Sequence, residues 1–247
     1  MNPKAKIALY VAIAVLAIVG VVWANFARLN STVRNIDVQI TYDCADTLVK
    51  PADVERLLLK QMPHIKAQLV KEVETDQVLR CIQKSPYLHQ TQISVSMSRD
   101  IVIRTHQRTP IAQIFTGKSS FFIDSTATRM PLSEYSTPDV IVANYQDSTS
   151  KHSLAAISHV ANFLHSHPEY ADIFDQIYEE HNHDLYLVPK LGSHVVLLGD
   201  TNDLDTKFHN LITVYRKGMQ KKGWDTYKLI NLKYKGQVIC RRKEVKK

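Results

Sequence analysis

A chain of 247 residues, 45% hydrophobic and 22% charged, has the composition of a folded protein with one large domain or two small ones, not of a disordered one. Seven glycines in the whole chain argue against Gly-rich phosphate loops, and three widely spaced cysteines, Cys44, Cys81 and Cys240, show neither a disulfide framework nor a zinc pattern. The formal charge is +7, yet the last seven residues, RRKEVKK, hold five basic groups against one acidic and so supply +4 of it.

The first element is IALYVAIAVLAIVGVVWANFA, Ile7 to Ala27, which contains no charged residue. It is long enough to cross a ~30 Å hydrocarbon core as a helix. Lys4 and Lys6 precede it and Trp23 lies near its far end, where an amphipathic ring favours the interface. A cleavable signal peptide is the other reading, with Val22-Trp23-Ala24 as the cleavage site, although the apolar run exceeds the usual ~7–15 residues. The lysines favour a cytoplasmic tail, residues 1–6, while Arg28 and Arg34 weigh the other way. An anchor this close to the N-terminus exports the chain beyond it. On an exported domain the basic C-terminal end fits anionic lipid, anionic polymer or an acidic partner segment better than nucleic acid, and a plain solubilising end fits equally well.

The segment Val33 to Tyr42 alternates as a half-buried strand. LVKPADVERLLLKQM then puts Pro51 at the first position of a helix with Val54, Leu57 and Leu58 on one face. In VETDQVLRCIQKSPYL, Thr75 is expected to cap a second helix that turns Val78, Leu79 and Ile82 inward and ends before Pro86. Cys81 falls where that helix buries a small hydrophobe, and a Cys44–Cys81 bridge stays open in an oxidising compartment. Ile93, Val95 and Met97 alternate on the next strand, Ser98-Arg99-Asp100 turns, and Ile101 and Ile103 share a face on the returning one. The result is a small α+β unit whose helices cover one face of a three-stranded sheet, leaving the other face and the edge to water or a partner.

Beyond Pro110, IAQIF, SFFID, RMPLSEY and DVIVANY read as short strands of a larger sheet. A helix comes next over SLAAISHVANFLHS until Pro168, then strands over FDQIYEE, HDLYLVP and SHVVLLG. The longest soluble helix carries an apolar stripe of Leu204, Phe208, Leu211, Ile212 and Tyr215, spaced as a core face. Two strands, YKLINLKY and QVICRR, close the chain around Lys235-Gly236.

No segment carries a catalytic signature. There is no nucleophile elbow, no SxxK, no P-loop and no dinucleotide fingerprint. Glu179 and Glu180 alternate on a strand and so face apart. His165 and His167 in HSHPE, and His181, His183 and Asp184 in HNHD, are the best metal ligands on offer. No third and fourth ligand is evident, and HNHD falls at a turn where polar residues belong anyway. No metal or other cofactor is expected. A terminal strand is different, because it often ends at a sheet edge that another chain can extend. Tyr234 and Val238–Cys240 would then supply pockets and backbone groups beside Arg241, Arg242 and Lys243. A satisfied internal strand with an ordinary basic tail reads as well.

In order along nearly the whole chain, SPYL before a strand pair, RTPIA after it, FFIDSTATRMPLSEY, LGSHVVLLGD and YKLINLKYKGQVI resemble the bacterial cell-division family FtsQ/DivIB. The basic tail is not a family hallmark. The resemblance implies an α+β protein built from a transmembrane helix (7–27), a small POTRA-like β-α-α-β-β domain (33–107), a larger β-rich domain with two or three helices (108–243) and a basic tail (244–247). It implies a non-enzymatic scaffold in the inner membrane at the division septum, single-pass, with the bulk of the chain periplasmic. Its partners would be FtsB- and FtsL-like bitopic proteins, one of them adding a strand at the last strand of the larger domain. Here that points to Tyr234, Lys235, Gly236, Gln237, Val238, Ile239 and Cys240. The hairpin around Arg99 would be a docking surface for recruitment. A POTRA-type component of a protein assembly or secretion machine is the alternative, and a hydrolase using His181 and His183 is a third.

Overall fold

Helix α1, Pro3–Leu29, takes in the whole uncharged run and continues past both of its ends. The computed structural model describes residues 3–117, 119–144, 151–180, 182–219 and 223–243. The 20 residues Tyr10–Leu29 are long and apolar enough to cross a membrane, and none of that window is buried against protein. Such a helix has no core to serve, so its side chains are made for an apolar surrounding. The chain divides into two units, Met1–Arg108 and Thr109–Lys247.

In the first unit, β1 (Asn35–Thr41) leads to α2 (Pro51–Gln61) and α3 (Thr75–Ile82), then to β2 (Leu88–Val95) and β3 (Asp100–Gln107). Pro51 stands at the start of α2, where its missing N–H costs nothing, and the Asp53 carboxylate accepts the Lys50 N–H at 3.1 Å. Thr75 is the first residue of α3 and not its cap; Glu74 takes the cap position without a side-chain bond to the backbone. Central β3 pairs parallel with β1 and antiparallel with β2. That register lines up Ile36, Ile101 and Val95, then Val38, Ile103 and Ile93, on one face. Val54, Leu58, Val78 and Ile82 of the helices close over this face. The opposite face is mostly polar, with Asp37, Gln39, Gln92, Ser94 and Arg104 arrayed across the strands around Val102, which is buried. Met97 leaves the expected alternation: it sits in the turn beyond β2, 79% exposed, next to Arg99 with φ +68°. Cys81 is buried as expected, and Cys44 and Cys81 are free thiols.

Among the described residues, the second unit has one nine-stranded sheet and three α-helices. Its strands are β4 (Ala112–Thr116), β5 (Ser119–Ile123), β6 (Arg129–Met130), β7 (Ile141–Asn144), β8 (Phe174–Glu179), β9 (Leu185–Pro189), β10 (Val195–Gly199), β11 (Tyr227–Asn231) and β12 (Ile239–Arg242). They lie side by side as β12-β11-β10-β9-β8-β7-β4-β5-β6. RMPLSEY yields strand only at Arg129–Met130, because Pro131 lacks the N–H a ladder needs.

Three neighbours in this order are parallel, β4 with β7, β7 with β8 and β10 with β11; β5 and β6 lie in the chain between the first pair, and helices supply the crossovers of the other two. Helix α4 (Lys151–Ser166) and the single turn α5 (Pro168–Ala171) make the first; α6 (Leu204–Val214), extended by a wide turn at Tyr215–Met219, makes the second. Both long helices pack on the same face. Ile157, Val160 and Leu164 of α4 meet Leu204, Phe208, Leu211 and Tyr215 of α6 over Ile114, Ile177, Leu187 and Ile230 of the strands. Phe208 is fully buried, and removing a side chain of that size from water contributes about 1.5–3 kcal/mol.

Candidate partner-binding edge

The predicted binding residues lie at the end of the large sheet. Among the described residues strand β12 is its terminal strand and pairs with β11, through Asn231–Ile239, Ile230–Cys240 and Leu229–Arg241. Among the described residues no further strand pairs with its other side. The strand is shorter than QVICRR suggests. The first terminal strand likewise stops at Asn231, so Tyr234, Lys235, Gly236, Gln237 and Val238 form a loop between β11 and β12.

That loop is held in place from several sides. Leu232 is buried and its N–H donates to the Leu197 carbonyl at 2.8 Å. The Lys233 ammonium donates to the Asp184 carboxylate at 2.8 Å, which raises the lysine pKa above its ordinary value. Gly199, at φ +75°, allows the Lys233 stem to pass, since a Cβ there would come within 2.9 Å of Lys233 Cγ. A tight turn comes next, closed by the Gln237 N–H on the Tyr234 carbonyl at 3.2 Å with Gly236 at φ +71°. Val238 and Cys240 pack inward on the core. Tyr234 and Ile239 point out, 54% and 49% exposed. Arg241 and Arg242 are exposed beside them.

Between this loop and the start of α6 lies a groove of about 230 Å³. Asp203, Thr206 and Asn210 form its far wall, and Lys235 Nζ reaches Asp203 across it at 3.6 Å. Lys207 braces the same corner, donating to the Asp200 carbonyl and carboxylate at 2.8 and 2.6 Å and holding the Asp200 carboxyl below its usual range.

The helix-free face of the sheet continues from the edge strand. Pairing aligns Ile239, Asn231, Leu197, Tyr186, Tyr178 and Asn144 in one row across six strands. The rings of Tyr178 and Tyr186 stack at 5.0 Å, and burial together with nearby Glu180 pushes Tyr186 up to about 12. The sequence singles out Tyr234 to Cys240 but not this row, because its members come from strands far apart in the chain.

The histidine motifs have other engagements. His183 sits in a left-handed turn with Nδ1 2.8 Å from the Glu179 carboxylate, and Asp184 is taken by Lys233 and Asn182. His181 lies outside the described residues. His167 Nδ1 bonds the Phe163 carbonyl at 2.8 Å, and His165 is exposed near the end of α4. Glu179 is buried, where Ser153 also donates to it, and Glu180 is exposed, so the pair faces apart as expected. Among the described residues no three His, Cys, Asp or Glu side chains converge on a point where a metal could sit.

A family model described as FtsQ/DivIB, C-terminal related, matches residues 109–241, which takes in all of β4 to β11 and most of β12. No curated protein matches the chain.

Proposed function

The chain belongs to the FtsQ/DivIB C-terminal-related family of cell-division proteins, and from that membership we propose that it is a non-enzymatic scaffold of the divisome that binds its partners by strand addition at β12. The observation that carries this reading is the terminal position of β12, with Ile239 and Tyr234 turned outward while Val238 and Cys240 anchor the strand to the core. Main-chain bonds to such an edge supply affinity, and the alternating side chains supply specificity. The partners in this reading are small single-span proteins of the FtsB and FtsL kind, and they meet Tyr234 through Cys240. Helix α1 anchors the chain in the inner membrane with residues 1–6 cytoplasmic and the rest periplasmic, at the septum. Residues 33–107 act as a POTRA-like docking unit and 108–243 as the partner-binding domain.

In-cell photo-crosslinking from position 234 tests this. Capture of a small single-span division protein, lost in Val238→Pro and in Ile239→Asp, is the expected result. Proline removes a backbone donor next to the strand. The Ile239 variant changes only an exposed side chain, so it controls for misfolding. A folded Ile239→Asp protein that still captures the same partner at full yield overturns the edge assignment.

A further inference from the structure

The junction of α1 with the first unit leaves almost no spacer. After Leu29, the N–H groups of Asn30 and Ser31 still bond to the Phe26 and Arg28 carbonyls at 3.1 Å. Thr32 already bridges Leu69, with Val70 N–H on the Ser31 carbonyl at 2.9 Å and Val33 N–H on the Gln68 carbonyl at 3.1 Å. Two side chains rivet the joint. Arg28 Nη1 donates to the Ser96 carbonyl at 3.3 Å, and Lys71 Nζ donates to Asn30 Oδ1 at 2.8 Å.

The apolar window Tyr10–Leu29 rises about 30 Å as a helix, the thickness of a bilayer core. Its last turns carry Trp23 and Phe26, 72% and 67% exposed. If that window spans, Ser96 and Lys71 lie at the level of the headgroups, for they are bonded to the helix end itself. So does the turn that Ser96 begins. Its tip is Met97, an unbranched apolar side chain 79% exposed, followed by Arg99. Arg34 stands against Arg99, its N–H on the Arg99 carbonyl at 2.9 Å. Arg28, Arg34, Lys71 and Arg99 thus ring the helix end, against the carboxylates of Asp100, which is held by Arg34 at 2.7 Å, and Glu72.

We infer that the β2–β3 turn and the segment around Lys71 form a footing on the membrane, with Met97 entering the boundary layer and Arg99 and Lys71 meeting anionic lipid phosphates. An exposed apolar tip flanked by cations is the side-chain pattern of an interfacial contact. Arginine adds paired N–H donors suited to phosphate oxygens. The inference rests on α1 being the membrane span of the proposed function.

The test uses the full chain in nanodiscs, with a fluorescent amino acid at position 97, 90 or 15 and nitroxide quenchers on the lipid headgroups or deep in the acyl chains. Position 90 lies near the other end of β2, about 20 Å from the tip. In phosphatidylcholine–phosphatidylglycerol discs, headgroup quenching is expected to be several-fold stronger at 97 than at 90. The excess is expected to vanish in the double variant Lys71→Glu, Arg99→Glu. Deep quenching at 15 reports the span independently. Quenching at 15 with none at 97 above that at 90 overturns the footing and leaves the anchor standing. Equal quenching at 97 in pure phosphatidylcholine overturns the anionic-lipid assignment. No deep quenching at 15 removes the anchor and the footing together.

Discussion

The two sheets of this protein obey one layer rule and finish it differently. Among the described residues, each has its helices packed on one face. In the small sheet the other face is mostly polar, with Asp37, Gln39, Gln92, Ser94 and Arg104 set around one buried aliphatic side chain, Val102. In the large sheet the bare face carries Ile239, Leu197, Tyr186 and Tyr178 in a row that begins at the terminal strand. A solvated sheet face reads as clean alternation; the outer strands β1 and β2 of the small sheet keep it, while central β3 buries Ile101, Val102 and Ile103 in succession. The large one sets an apolar and aromatic row, with Leu197 buried and Tyr178 and Tyr186 half-buried, in line with the proposed partner edge. The contrast is between one buried valine among polar side chains and a continuous apolar and aromatic row.

The sharpest way to break this comparison is to damage the covered side. Phe208→Ala is expected to cost about 3–5 kcal/mol in urea unfolding of the detergent-solubilised chain, since it empties the centre of the helix-covered core. A cost below that of an exposed substitution would mean that the helices do not carry the stability of the large sheet.

In the small unit the comparable point is polar. Gln107 is buried at the end of β3, its Oε1 accepting the Leu48 and Val49 N–H groups at 2.6 and 3.2 Å and its Nε2 donating to the Asp46 carbonyl at 2.8 Å. Gln107→Leu strands buried backbone groups and is expected to cost about 1–3 kcal/mol by the same measurement.

Acid acts on the large unit through His194. This residue is buried, its Nε2 2.8 Å from the Tyr215 hydroxyl, and burial lowers its pKa; Asp225 opposes that shift and Lys243 assists it. The unfolded chain, with an ordinary value of about 6.5, then binds the proton more readily than the folded one. Stability is therefore undiminished above about pH 6.5 and falls as pH drops below it towards the lowered folded value. A pH series of urea midpoints should show this limb, and His194→Gln, which keeps a hydrogen-bonding side chain without the proton uptake, should flatten it.

The smallest effect belongs to an exposed polar position on the small sheet. Gln92→Ala is exposed and is expected to stay within about 0.5 kcal/mol of the parent. A larger loss would show that this face is covered by something other than solvent.

Much of the fold is legible in the chain because it is local. The uncharged run makes α1, Pro51 marks a helix start, and the alternation of Ile93, Val95, Ile101 and Ile103 makes a hairpin. Met97 obeys the same period yet belongs to the turn, because alternation cannot say where pairing stops. Thr75 has the right side chain for a cap, but the helix begins one residue earlier than that role needs. The terminal strand is recognisable as an edge candidate, while its loop reads as strand, since Tyr234 and Val238 are strand formers placed around a glycine. The features that escape a reading of the chain are non-local. The Lys233–Asp184 pair and the row from Ile239 to Tyr178 exist only once β8 to β12 are side by side.

The joint at Asn30 also has a mechanical meaning. A helix that passes into a folded unit through one turn and two bonded side chains behaves as a shaft keyed to its load. Each residue of an α-helix advances the azimuth by about 100°. One alanine inserted after Leu29 would swing the whole first unit by that angle about the shaft, whereas an insertion of about seven residues would bring it back nearly to phase. Binding that depends on heading would then fail and recover with the period of the helix, a signature that a loose tether could not produce.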